Sequence, residues 1–173
     1  MNTNHLNTIV DFLNEIGISC QPETITTETF LPGISIRKGV IYYDEQQLLS
    51  PGDLLHEAGH ISILSSEDRS NVFESENVSG SKLDDGGAEM AAIAWSWAAL
   101  KHLNLPPDVV FHEEGYKGDS EALIAAFSNG GGMGISILNW LGMTEQSKPK
   151  QTASDNHFPN MHKWVLDKYP SYV

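Results

Sequence analysis

Residues 50–64 read SPGDLLHEAGHISIL, and the rest of the chain is organised by whether they form a helix. Ser50-Pro51-Gly52-Asp53 is a helix-start signal: Ser can cap, Pro tolerates the first helical position, and Asp suits the positive end of the helix dipole. The helix is expected to run to about Leu64, with apolar Leu54, Leu55, Ile61 and Ile63 around two histidines four residues apart. On a helix, His56 and His60 project from one face and can reach a single ion. Glu57 lies about 100° around from His56, close enough to reach a water on that ion without ligating it. This is the H-E-x-x-H arrangement, in which two neutral imidazoles hold Zn2+ and the carboxylate takes a proton from the bound water. The plainer alternative is a buried helix whose histidines are satisfied by hydrogen bonds. Two histidines and a glutamate on an apolar face need partners, and a metal supplies them. Gly59 in the helix interior costs about 1 kcal/mol relative to Ala, which points to close approach by another backbone or helix.

Two histidines do not complete a catalytic zinc site, which takes three protein ligands and keeps a fourth position for water. A third histidine six residues after His60 is ruled out, because that position is Ser66. The best candidate is Glu89, in GGAEMAAIAW (residues 86–95). A carboxylate buried among such small residues is costly unless something positive faces it. Ala92 and Ser96, three and seven residues on, continue a stripe of small side chains that would let this helix pack tightly against the first. The competing reading of Glu89 is an ordinary first-turn glutamate at a positive helix end. Asp84, Asp85, His102 and His112 stand in reserve as ligands.

Outward from these two segments, Leu6, Ile9, Val10, Leu13 and Ile16 recur at helical spacing, and Gly17 stops that helix. Residues 34–37 and 40–43 carry β-branched and aromatic residues on either side of Lys38-Gly39 and read as two antiparallel strands. The second of them could offer its edge to an extended peptide. Residues 65–82 read as an exposed polar loop. The Ala-rich segment at 88–103 reads as a helix buried on most sides. FHEEGYKGDS (residues 111–120) is a Gly-flanked loop that presents His112 and Tyr116. Helices at SEALIAAF and ISILNWLGM follow, the Gly run before Ile135 allowing a tight turn. The four tryptophans, Trp95, Trp97, Trp140 and Trp164, read as core and packing residues.

With 173 residues, one domain is expected. Ten Lys and Arg against 23 Asp and Glu give a net charge of −13, the wrong sign for a nucleic-acid partner. The single cysteine, Cys20, excludes an internal disulfide framework and suits a reducing compartment. MNTNHLNTIV has neither the basic nor the apolar region of a signal peptide, and no apolar run approaches the roughly 20 residues that span a bilayer. A cytoplasmic protein with no membrane partner is the expectation.

The residues HEAGH (56–60) and the Glu89 segment together resemble the gluzincin metallopeptidases, and most of all the small bacterial minigluzincin and ImmA/IrrE-type branch. The resemblance covers about residues 34–100. It implies a zincin-like fold, Zn2+ bound by His56, His60 and Glu89, Glu57 as general base, and hydrolysis of peptide or protein substrates. The chain departs from the larger gluzincins, whose N-E-x-x-S-D pattern supplies an aspartate to a zinc-binding histidine, because Glu89 is followed by Met90-Ala91-Ala92-Ile93. Asp53, Asp84 and Asp85 are the candidates for that supporting role. Tyr116 is the candidate donor to the oxyanion formed during attack, with His112 behind it.

The sequence therefore predicts a mainly helical α+β domain with a small antiparallel sheet and a two-helix metal site, acting as a zinc peptidase. A metal-stabilised regulatory domain and an acidic interaction module are the rivals. Glu57 separates them, since a purely structural site needs no carboxylate there.

Overall fold

A computed structural model describes residues 3–71, 83–113, 115–146 and 157–171. Helix α1 (Thr3–Glu15) leads through Gly17, at φ +90°, into strand β1 (Cys20–Pro22). Strands β2 (Ile34–Arg37) and β3 (Val40–Tyr43) form the expected hairpin. Its two-residue turn, Lys38-Gly39, has φ of +53° and +73°, the left-handed pair that matches the twist of antiparallel strands. The sheet order is β1-β3-β2, and β1 runs parallel to β3 with Cys20 opposite Ile41. The sheet is thus mixed rather than wholly antiparallel. It also corrects the expectation for residues 40–43: β3 is paired on both sides, and β1 and β2 are the edge strands among the described residues.

Helix α2 (Asp53–Ser62) carries the central motif, followed by a single-turn helix α3 (Ser66–Arg69) at the start of the segment expected to be loop. The remainder of that segment, 72–82, lies outside the described residues, as does 147–156. Ser50 does not cap α2. Its hydroxyl donates to the Val109 carbonyl at 2.6 Å, and Gly52 occupies the cap position. Helix α4 (Asp85–His102) starts earlier than expected because Asp84 caps it, accepting the Gly87 N–H at 2.7 Å. Every residue from Ala91 to Leu100 is buried, so α4 is the axis of the fold. Helices α5 (Ser120–Ser128) and α6 (Ile135–Trp140) complete the helical part. The architecture is α+β and mainly helical.

The packing of α2 on α4 places the site. A methyl group on Gly59 would meet the Ala92 carbonyl oxygen at 2.9 Å and its Cα at 3.0 Å, so the glycine permits the close helix approach that its position foretold. One continuous apolar core joins α1, the sheet, α2 and α4 to the later helices. Trp95 and Trp97 are buried and Trp164 packs against the core. Trp140 departs from the expectation by lying 38% exposed. The irregular stretch after His157 is fastened to the end of α2 and to α4: Leu166 N–H donates to Ser62, Ser66 N–H to Asp167, and Trp95 Nε1–H to Trp164.

Candidate metal centre

His56 and His60 stand one turn apart on α2, and α4 brings Glu89 across to them. The His60 Nε2 lies 3.2 Å from His56 Nε2 and 3.1 Å from Glu89 Oε2, and His56 Nε2 lies 3.6 Å from the same oxygen. These three residues form a group that could hold a metal ion. The triangle has the right size, since a tetrahedral ion with bonds of about 2.0–2.1 Å separates its ligand atoms by roughly 3.3 Å. The donor set, two imidazoles and a carboxylate, suits first-row transition metals far better than calcium or magnesium.

The electrostatics agree. Burial pulls the His56 pKa down, but the facing Glu89 carboxylate and the charges of Glu57 and Asp53 outweigh it, and the net direction is upward. The facing imidazoles of His56 and then His60 hold the Glu89 carboxyl well below the usual carboxylate range. The carboxylates around His56 thus make a field that favours positive charge, of the kind a divalent cation supplies.

The side chain of Glu89 is 48% exposed. Its burial, the premise that singled it out in the sequence, is therefore not what demands a partner. It reaches the histidines from the solvent side. Glu57 is the opposite case at 2% exposure, turned inward from the same helix. With Phe30, Ile34 and Ile36 it lines a cavity of about 20 Å³, enough for about one water.

No protein-family model matches this chain, and neither a curated protein nor a solved structure matches it.

Three of the four reserve candidates take other posts, and Asp85 sits exposed in the first turn of α4. Asp84 caps α4. His102 packs its ring against Phe12 and Trp164 at 5.5 and 5.2 Å between centroids. His112 Nε2 pairs with Asp53 Oδ1 at 2.9 Å, so Asp53 supports His112 rather than a metal-facing histidine. Tyr116 does come to the centre: its Oη lies 3.3 Å from His56 Nδ1, on the ring nitrogen that does not face Glu89. Burial, and then the charges of Glu89, Asp53 and Glu57, push its pKa up, so the phenol keeps its proton. Neither the Tyr116–His56 contact nor the Asp53–His112 pair could be read from the sequence, because each joins positions about 60 residues apart.

Proposed function

We propose that this chain is a zinc-dependent peptidase similar to the small gluzincins, working in the cytoplasm on extended peptide or protein segments. The observation that carries the reading is the convergence of His56, His60 and Glu89, with the buried carboxylate of Glu57 on the same helix as the two histidines. Zn2+ would be held by the two Nε2 atoms and the Glu89 carboxylate, where it supplies a coordinated water of lowered pKa and polarises a substrate carbonyl.

The chain's own groups do the rest. Glu57 accepts the proton as the water oxygen bonds to the carbonyl carbon, then delivers it to the departing nitrogen as the C–N bond breaks. The edge of β2 borders the cavity that Glu57 lines, so a substrate can be aligned by adding a strand beside Ile34–Arg37. Phe30, 69% exposed in the same wall, offers an apolar surface to a substrate side chain.

A second reading has support in the tight α2–α4 approach at Gly59: a metal shared between the helices would staple them, and the protein would act through binding alone. Cleavage of a mixed peptide library, followed by mass spectrometry, separates the two. The peptidase reading expects cleavage that a chelator abolishes and zinc restores, and that falls about 10²–10⁴-fold in Glu57→Gln. A zinc-loaded protein that cleaves nothing, or one whose cleavage ignores Glu57, would leave the staple.

A further inference from the structure

The turn that carries Tyr116 is held against the first turn of α2 far more firmly than a surface loop requires. At its near end, Ser50 donates to the Val109 carbonyl, and a methyl group on Gly52 would collide with that carbonyl at 2.0 Å. In its middle, His112 pairs with Asp53, which lies three residues before His56 on the same helix. The turn is closed on itself, with Gly115 N–H and the Ser120 hydroxyl both donating to the His112 carbonyl at 3.1 and 2.8 Å. Tyr116 and Lys117 both sit at φ +53°, a left-handed conformation that a bulky aromatic residue rarely adopts. Such an outlier persists only where its surroundings impose it, and at functional sites it serves to aim a side chain. Here the ring is set edge-on to His56, 86° between planes and 5.8 Å between centroids, with its other side against Phe111.

We propose that Tyr116 is a positioning residue for His56: its phenol oxygen receives the Nδ1–H of the imidazole, fixing the tautomer that presents a bare Nε2 to a divalent metal, while the Asp53–His112 pair holds the turn in place. The role rests on the metal reading above. It gives this chain a supporting partner for a ligand histidine that comes from a separate loop, in place of an aspartate on the ligand-bearing helix. A ligand histidine gains basicity and a fixed ring orientation from such a partner.

The test is a competition titration of Zn2+ against a chromogenic chelator with wild type, Tyr116→Phe and Asp53→Asn, with the thermal midpoint of each metal-free protein measured alongside. Tyr116→Phe removes only the oxygen, and the expected result is a zinc affinity about 10–100-fold weaker at an unchanged metal-free midpoint. Asp53→Asn leaves the tyrosine intact but loosens its turn, and a smaller loss in the same direction is expected. Wild-type zinc affinity in Tyr116→Phe would overturn the proposal, whether or not turnover falls, because the hydroxyl would then act on the reaction or on nothing. A wild type that binds no zinc would instead overturn the function proposed above, and this role with it.

Discussion

His56 is addressed from both ring nitrogens: Nε2 faces His60 and Glu89, and Nδ1 faces the Tyr116 hydroxyl. Glu57, its neighbour in sequence, points inward and does not belong to the ligand group. Substitutions should therefore separate cleanly. His56→Ala and Glu89→Ala are expected to lose metal and turnover together, whereas Glu57→Gln keeps the metal and loses turnover; parallel metal analysis and peptide assays check this. The spacing of His56, Glu57 and His60 was legible because four residues is one helical turn, a purely local constraint. Glu89 was legible as a residue but not for the reason that singled it out, since exposure depends on what packs over a helix end. Tyr116 was visible as a polar aromatic on a Gly-flanked loop, but its contact with Nδ1 depends on a left-handed backbone that no periodicity announces.

At the scale of elements, the α2–α4 contact determines whether the ligands meet. Gly59→Val would force a branched side chain into the Ala92 backbone, with an expected cost of about 1–3 kcal/mol and weaker zinc binding as Glu89 is pushed away. Denaturant unfolding and zinc titration of that variant read the two effects. The far end of β3 is tied by Asp44, which accepts the Ile25 N–H at 3.0 Å, the Gln47 side chain at 2.8 Å and the Gln46 N–H at 2.9 Å. These hydrogen bonds, that from Ile25 foremost, lower its pKa. A carboxylate depressed in the folded state stabilises above its unfolded pKa of about 3.9, and that contribution disappears as the pH falls through the folded value. Asp44→Asn is accordingly expected to melt below wild type at neutral pH, with the gap closing in acid when midpoints are followed against pH. The β2–β3 hairpin was legible from Lys38-Gly39, whereas β1 was not. Three residues ending in proline show no alternation, and their pairing with Ile41 onward is decided some 20 residues away.

Across the whole molecule, the segment after His157 closes over the end of α2 without forming a helix of its own. Arg69 clamps it by donating to both the Leu64 and Leu166 carbonyls. Removing that cation in Arg69→Met leaves both acceptors unserved, an expected loss of about 1–3 kcal/mol readable by chemical denaturation. Such a seat is made of single long-range hydrogen bonds, which leave no repeating signal in the sequence. The net charge of −13, in contrast, is plain from composition. Under the proposed peptidase activity it should favour basic peptides over acidic ones, with a preference in kcat/KM that shrinks as added salt screens the field. Among the described residues no helix is long and apolar enough to cross a membrane.

The most direct test of the account is the zinc content of the purified protein by elemental analysis, after reconstitution and desalting, in wild type and in His56→Ala, His60→Ala, Glu89→Ala and Glu57→Gln. About one zinc per chain is expected in wild type and Glu57→Gln, with little or none in the three ligand variants. Wild type without zinc, or zinc retained when all three ligands have been removed one by one, would contradict it.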